Sequence, residues 1–231
     1  MKTSNIKMTA LALLSITALF ASCDKDELDD ITNTVTPTAK VIVVHASPDG
    51  PAVDLLVDNT KQGTLSYKAA TAYLNINEGT RNIKVNAANT STSVINADLS
   101  FTANKSYTLF AIDSVSKISP LRLEDDLTAP AAGTAHVRFV HLSPNAPAVD
   151  IVAGGSVITG FGNKAFKSFS NFTPLPAGTY NLDVNLANTT TTVLDVDNVV
   201  LSAGKIYTIY ARGFVGGTGA SALEAGTILH N

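Results

Sequence analysis

Hydrophobic and polar residues alternate along much of the chain. Residues 53–58 read VDLLVD and residues 182–187 read LDVNLA, with an apolar side chain at every second position. A period of two is that of a half-buried β-strand. No segment after residue 23 keeps the period of an amphipathic helix, and turn-forming residues recur at short intervals, as at 78–79 and 174–178. The pattern therefore predicts an all-β protein built from short strands.

The chain contains one sequence unit twice. Residues 41–54 read VIVVHASPDGPAVD and residues 137–150 read VRFVHLSPNAPAVD, at a spacing of 96. Residues 85–94 and 184–193 read VNAANTSTSV and VNLANTTTTV, at a spacing of 99. The comparison predicts a first repeat, a linker and a second repeat at 39–126, 127–134 and 135–231.

The segment between the repeats is short and polar. Asp125 and Asp126 lead into it, and Pro130 and Gly133 punctuate it. A connection of this length holds two domains near each other without necessarily fixing the angle between them.

The two repeats are predicted to be tandem immunoglobulin-like β-sandwich domains, each with about seven strands in Greek-key order. Both carry residues that resemble a tyrosine corner, which pins a crossover loop in such sandwiches. The residues are Phe101, Ala103, Asn104 and Tyr107 in the first repeat and Leu201, Ala203, Gly204 and Tyr207 in the second. Asn104 replaces glycine at a position that suits a left-handed backbone. With one Cys and no Trp, the chain lacks the inter-sheet disulfide and the buried Trp of a true immunoglobulin domain.

The repeated strings point to a family. VVHASPDGPAVDLLVD and VRFVHLSPNAPAVDIV, followed by LPAGTYNLDV from Leu175 and LSAGKIYTIYA from Leu201, resemble the bacterial domain of unknown function 4397 family. The resemblance covers both repeats, although Asn77 and Glu78 stand where the second repeat has Pro176 and Ala177. It implies a secreted or lipid-anchored β protein, and it implies no established reaction, ligand or catalytic residue.

The N-terminus has the features of a bacterial export signal. Lys2 and Lys7 precede an uncharged apolar stretch at 8–21, which is too short to span a bilayer comfortably. Residues 19–23, LFASC, resemble the lipobox of bacterial lipoproteins, so we predict a signal peptide at 1–22 and lipid attachment at Cys23. The alternatives are an ordinary cleaved signal and an uncleaved anchor.

Residues 23–38 are predicted to form a flexible acidic and Thr-rich tether. Acidic residues directly after the Cys resemble the surface-export signal of Bacteroidetes lipoproteins. We therefore expect a lipid anchor in the outer membrane with the protein exposed outward, and the periplasmic face is the alternative.

Composition narrows the classes of function. The formal net charge is −3 and no run of Lys or Arg provides a basic surface, so a nucleic-acid partner is not expected. One Cys and four His leave little material for a metal site, and no nucleotide-binding or nucleophile motif occurs. The sequence therefore predicts no cofactor and no enzymatic activity.

The repeated motif is expected to have a structural role. His141 shares the inward face of its strand with Val137 and Phe139, while Arg138 points to the opposite face. A neutral imidazole that hydrogen-bonds a nearby loop is the simplest account, and the aspartates are expected on an outward face, ordering turns. A metal or acid–base role is the alternative. The motif residues are His45, Pro48, Asp54, His141, Pro144 and Asp150.

An aromatic cluster in the second repeat is the candidate for ligand contact, because rigid rings contribute binding area at little entropic cost. Packing is the more common use of such rings. The cluster comprises Phe161, Phe166, Phe169 and Phe172.

Three functional hypotheses remain. The first is a non-enzymatic cell-envelope lipoprotein that acts as a binding, adhesion or structural module with a protein or glycan partner. The second is a surface glycan-binding component of a polysaccharide-uptake system, which predicts an exposed aromatic cluster. The third is an uncharacterised hydrolase using His45 and His141, which predicts an open cleft with at least two carboxylates.

Overall fold

The computed structural model describes residues 36–231, which form one compact unit. The predicted signal peptide, Cys23 and most of the predicted tether lie outside the described residues. Within 36–231, no helix is both long and apolar enough to cross a membrane.

Each repeat contains eight strands. In the first repeat they are β1 (Thr38–His45), β2 (Val53–Val57), β3 (Thr60–Leu65), β4 (Leu74–Asn77), β5 (Gly79–Ala87), β6 (Ser93–Phe101), β7 (Ser106–Ile112) and β8 (Ser119–Asp125). In the second they are β9 (Thr134–His141), β10 (Val149–Ala153), β11 (Ser156–Val157), β12 (Thr173–Pro176), β13 (Gly178–Leu186), β14 (Thr192–Leu201), β15 (Ile206–Arg212) and β16 (Glu224–Leu229). Two short 3-10 turns lie at Val115–Lys117 and Gly219–Ser221.

The prediction of about seven strands was low by one in each repeat. The residues at 174–178, which the sequence marks as a turn, lie largely in β12, where Pro174 and Pro176 occupy an edge strand. Proline is tolerated there because an edge strand leaves one side of its backbone without a ladder partner. The corresponding β4 has only four residues, too few to show an alternating pattern.

Each repeat folds into a sandwich of two four-stranded sheets, which confirms the predicted fold class. The strand orders in the first repeat are β4-β1-β7-β8 and β3-β2-β5-β6, and those in the second are β12-β9-β15-β16 and β11-β10-β13-β14. Strands β1 and β7 pair in parallel, as do β9 and β15, whereas the other pairs are antiparallel. The chain crosses between the two sheets of each repeat several times, as expected for a Greek-key sandwich.

Alternate residues of facing sheets fill the interior of each sandwich. In the first repeat the buried core includes Val41, Val43, Val53, Leu55, Ile83, Val85 and Leu109. In the second it includes Val137, Phe139, Val149, Ile151, Leu182, Val184 and Ile209. These sets occupy matching strands, so the duplication in sequence corresponds to a duplicated core.

Both tyrosine corners form. The hydroxyl of Tyr107 accepts the N–H of Thr102 at 3.2 Å, and that of Tyr207 accepts the N–H of Ser202 at 3.1 Å. Asn104 has φ of 62°, the left-handed conformation for which the sequence favoured Asn or Gly. The corners fix the crossovers into β7 and β15.

A third core joins the two repeats. The outer face of sheet β4-β1-β7-β8 packs on the outer face of sheet β12-β9-β15-β16, so the molecule has four β-layers. The residues buried there are Ile42, Val44, Ala46, Phe110, Ile112 and Leu123 from the first repeat and Val140, Leu142, Tyr210 and Ile228 from the second. The linker does not set the arrangement of the repeats alone, because this interface holds their sheets together.

The two ends of the molecule differ. We call the end at which β1 and β9 finish, with His45 and His141, the apical end, and the opposite end, where these strands begin, the basal end. Lys68, whose N–H donates to the carbonyl of His45, pairs with Glu224 at the start of β16. The apical ends of both repeats therefore lie side by side. The chain before Thr38 enters at the basal end.

Candidate functional site

The repeated histidines fasten the loops that follow β1 and β9. Nε2 of His45 lies 2.8 Å from the carbonyl of Pro51, and Nδ1 lies 3.4 Å from the N–H of Ser47. Since a carbonyl can only accept and an N–H can only donate, Nε2 carries the proton and Nδ1 is the acceptor. His141 makes the same pair of contacts in the second repeat, at 3.0 and 3.3 Å. Each imidazole therefore bridges the two sides of its own loop.

Burial keeps both rings out of reach of a substrate. His45 and His141 are 0% exposed, and burial lowers the pKa of each below its usual value. Both imidazoles are therefore neutral at pH 7. Among residues 36–231, neither ring hydrogen-bonds to a carboxylate, and no group of three His, Cys, Asp or Glu side chains has metal-binding geometry. This arrangement does not favour the hydrolase hypothesis or the metal alternative.

The repeated aspartates, Asp54 in β2 and Asp150 in β10, bind neighbouring loops to the sheets that contain these strands. Asp150 accepts the N–H of Asn163 at 2.6 Å on one oxygen and the N–H of Asn188 at 2.7 Å on the other. Asp54 accepts the N–H of Asn89 at 3.2 Å. Asp54 and Asp150 are buried, at 6% and 7% exposure, although the sequence placed them on an outward face. The loops that they anchor cover that face at its apical end.

The first-repeat aspartate is also paired with a cation. Lys61 Nζ lies 2.8 Å from Asp54 Oδ1, and the hydroxyl of Thr64 donates to the same oxygen at 2.6 Å. These two contacts lower the pKa of Asp54 to about 2. A carboxylate that is ionised and fully committed to such partners has little capacity for proton transfer near pH 7.

Prolines of the motif lie at the same loops. Pro48 is buried and Pro144 is half-buried, each directly after the serine whose N–H binds the imidazole. Their fixed φ favours the turn that brings the carbonyl of Pro51 or Pro147 back to the histidine.

The aromatic cluster does not form one surface. Phe161 is 1% exposed and packs in the core of the second sandwich. Phe166 packs against the third core, and the ring of Phe172 lies 4.5 Å from the guanidinium carbon of Arg138. Phe169 alone among the four is largely exposed, at 45%. Packing, the more common use of such rings, accounts for Phe161 and leaves Phe166 and Phe172 half-buried, and ligand contact by the cluster stays a prediction.

A buried ion pair lies near the basal end of the third core. Arg138 Nη2 is 2.7 Å from Asp125 Oδ1, and the two side chains are 2% and 0% exposed. Asp125 also accepts the hydroxyl of Thr108 at 2.8 Å, and Arg138 donates to Thr208 at 2.9 Å. Asp125 is the last residue of β8, two residues before the predicted linker begins.

A histidine completes this network. The hydroxyl of Thr208 lies 2.8 Å from Nε2 of His230, and Nδ1 of His230 lies 2.8 Å from the hydroxyl of Tyr73. Tyr73 in turn donates to Asp125 at 3.3 Å. Because Tyr73 donates its proton to Asp125, it accepts from Nδ1–H of His230; Nε2 of the neutral ring is then an acceptor, and Thr208 donates to it. Every donor has an acceptor when His230 is neutral. Burial lowers the pKa of His230 to about 4.

A second charged network crosses the interface at the apical end. Arg212 Nε is 2.7 Å from Glu224 Oε1, and Lys68 Nζ is 2.8 Å from Glu224 Oε2. Arg212 also donates to the carbonyl of Lys68 at 3.2 Å. Sequence reasoning missed both networks. The sequence did contain one sign of these networks. Arg138 and Arg212 interrupt otherwise apolar runs, and the first repeat has Ile42 and Ile112 at the equivalent positions.

The apical loops of the two repeats present equivalent valines. Val115 and Val215, at a spacing of 100, are 37% and 42% exposed. The N–H of Val115 donates to Asp49 at 2.8 Å, and that of Val215 donates to the side-chain carbonyl of Asn145 at 2.9 Å. Asp49 and Asn145, which occupy equivalent positions four residues after the repeated histidines, therefore each hold an exposed valine in a fixed loop.

The solved structures to which the chain is distantly similar include a carbohydrate-binding module and a candidate adhesin. One is a family 26 carbohydrate-binding module, CBMbc of Amy13K from Eubacterium rectale, in complex with maltoheptaose, with 12% identity, 82% of this chain and 95% of that chain covered, and a TM-score of 0.25. The other is a candidate adhesin from Bacteroides ovatus, with 10% identity, 83% and 93% coverage, and a TM-score of 0.23. Both scores are too low to transfer a ligand. A comparison with curated proteins finds no significant match.

The family resemblance is confirmed over residues 39–227. A family model described as a domain of unknown function (DUF4397) matches residues 39–152 and again residues 144–227. The two matches include both copies of the His motif and both sandwiches. The chain therefore belongs to the DUF4397 family and contains two tandem copies of its domain.

Proposed function

We propose that the protein is a non-enzymatic lipoprotein of the cell envelope, anchored in the outer membrane through Cys23 and exposed outward, and that its apical end binds a protein or glycan partner. The observation that carries the proposal is the pair of equivalent valines, Val115 and Val215, held in fixed loops at the end opposite Thr38.

Two features support this choice. The polar residues of the repeated motif are used to fasten loops, so their chemistry serves the shape of the apical end and leaves little for catalysis. The chain that leads back to the lipid enters at the basal end, before Thr38. A protein anchored there presents its apical loops away from the membrane, where a partner has free access.

The binding test uses the chain from Asp24 to Asn231 on a glycan array and in an envelope pull-down. A variant with Val115→Asp and Val215→Asp removes the apolar tips, and Val200→Asp is the matched control because Val200 is 61% exposed on β14. The proposal predicts a specific partner that is lost in the double variant and kept in the control. Equal binding by all three proteins would place the contact elsewhere, and no binding in either assay would favour a purely structural module.

The anchor is tested separately. Palmitate labelling in the native host should mark the wild type and not Cys23→Ser, and added protease should degrade the anchored protein on intact cells. Labelling without protease sensitivity would favour the periplasmic face. Absence of labelling would refute lipid attachment.

The glycan-uptake component remains a second candidate because one aromatic ring is available. Phe169 is 45% exposed and its backbone pairs with Val140 of β9 near the apical end. Exposed rings stack on sugar faces. Phe169→Ala should then abolish array binding, and Phe161 is unsuitable for substitution because it lies in the core.

A further inference from the structure

Each repeat uses the same face of its fold to pack against the other repeat. Ile42 of β1 lies opposite Thr108 of β7, and Arg138 of β9 lies opposite Thr208 of β15. Ile42 and Arg138 therefore occupy equivalent positions. Tyr107 of β7 lies opposite Glu124, and Tyr207 of β15 lies opposite Leu229. The next residues along the chain, Asp125 and His230, are therefore equivalent as well.

Equivalent residues meet across the interface. The rings of Phe110 and Tyr210, at a spacing of 100, contact each other edge to face with centroids 5.4 Å apart. Asp125 Oδ2 and His230 Nδ1 lie 3.7 Å apart. The equivalent lysines also reach across: Lys68 pairs with Glu224 of the second repeat and Lys167 lies 3.8 Å from Asp113 of the first, although these two acids occupy different positions in their repeats. Such a contact is isologous, like that of a two-fold symmetric dimer.

The charges on this surface break the symmetry. The first repeat contributes the carboxylate of Asp125 and the apolar Ile42, whereas the second contributes the guanidinium of Arg138 and the neutral His230. In the observed pairing the guanidinium meets the carboxylate. Two first repeats would bring two Asp125 carboxylates to the position where Asp125 and His230 now stand 3.7 Å apart. Two second repeats would bury two Arg138 side chains without a carboxylate. Each arrangement buries unpaired charge.

We infer that this face is a pairing surface whose partner is the unlike repeat of the same chain, and that Arg138 and Asp125 select unlike over like pairing. The inference concerns assembly, so it stands apart from the ligand-binding proposal.

The test uses the whole mature chain with a protease site inserted in the linker at 127–133 and cut after folding. Native mass spectrometry distinguishes the pairs directly, because the two fragments differ in mass. The wild type should remain a one-to-one complex of unlike fragments after dilution and reconcentration. A statistical mixture that includes first–first and second–second pairs would overturn the inference.

Variants at the ion pair separate selection from simple packing. Arg138→Glu places two carboxylates together and should weaken the association of the cut fragments by about 100-fold or more. Lys84→Glu makes the same charge change on the outer face of the sheet β3-β2-β5-β6, away from the interface, and should leave association unchanged. Equal affinity in the two variants would overturn the inference.

A second variant, in which both residues of the ion pair are uncharged, keeps the test possible if Arg138→Glu does not fold. The double variant Arg138→Met with Asp125→Asn removes both charges and keeps similar volumes, so the cut fragments should still associate. With the selecting charges gone, like pairs should appear beside unlike pairs. Continued absence of like pairs in this variant would show that the two residues do not select the partner.

Discussion

Protonation of His230 should destabilise the folded chain as the pH falls. The imidazole is 6% exposed, and burial together with the nearby guanidinium of Arg138 outweighs the carboxylate of Asp125, so its pKa falls from 6.5 to about 4. Above pH 6.5 both the folded and the unfolded chain hold a neutral ring, and the pH has no effect through this group. Between pH 6.5 and 4 only the unfolded chain takes up the proton, so stability is lost as the pH falls.

The magnitude follows from the two pKa values. The difference between 6.5 and about 4 corresponds to about 3 kcal/mol of unfolding free energy at roughly 1.4 kcal/mol per pH unit. In structural terms, Thr208 donates its hydroxyl to Nε2 of the neutral ring. A protonated Nε2 leaves that hydroxyl without its acceptor and adds a charge near Arg138.

Urea unfolding at a series of pH values from 7.5 to 3.5 measures the effect, followed by far-UV circular dichroism for the wild type and for His230→Gln. Other groups with lowered pKa values, such as His45, His141 and Glu224, are present in both proteins and cancel in the difference. The free-energy difference between wild type and variant should shift by about 3 kcal/mol across this range. A difference that stays constant within about 0.5 kcal/mol would refute the assignment of a neutral, buried His230.

Three further changes should lower stability. Gly226→Ala places a methyl group against the ring of Tyr210, where there is no room for it, so thermal melting should report a loss of about 1–3 kcal/mol from overpacking. Arg138→Ile, which copies the first repeat, leaves the buried carboxylate of Asp125 without its cation and should cost about 3–5 kcal/mol in urea unfolding. Tyr207→Phe removes the acceptor for a loop N–H and should cost about 1 kcal/mol by the same method.

Each of these changes has a control. Gly63→Ala meets no atom within 4 Å and should be nearly neutral, so an equal loss at both glycines would contradict the overpacking argument. Adding Asp125→Leu to Arg138→Ile removes the stranded carboxylate and should recover most of the lost stability. If it recovers none, the cost lies in packing alone. For Tyr207→Phe, a loss below about 0.3 kcal/mol would show that water replaces the corner hydrogen bond.

The sequence was a good guide to each sandwich. Alternation predicted strands such as β2 and β13, and the left-handed positions at Asn104 and Gly204, with φ of 62° and 77°, followed from residue type. The inward position of His141 also followed from strand phase. These features depend on local geometry, in which each side chain's direction is set by its neighbours along the strand.

The packing of one repeat on the other was not predicted, although part of the information was present. Residues 41–44 read VIVV and residues 107–112 read YTLFAI, and both runs are buried throughout. A continuous apolar run indicates a strand covered on both faces. The run does not reveal what covers the second face. Contacts such as that of Asp125 with Arg138 form only when the two repeats pack together. Proximity in sequence likewise cannot separate a core ring such as Phe161 from an exposed one such as Phe169.

The position of β1 determines how the protein would bear tension. The chain towards the predicted anchor leaves from Thr38, and β1 is paired in parallel with β7 over residues 40–45 and antiparallel with β4 over residues 38–41. A pull between the anchor and a partner held at the apical end acts along β1. The ladder hydrogen bonds run across that direction, so they are sheared together and cannot open one after another. A strand attached in this way resists detachment under flow much better than a terminal hairpin that peels, and forced unfolding is governed by that barrier.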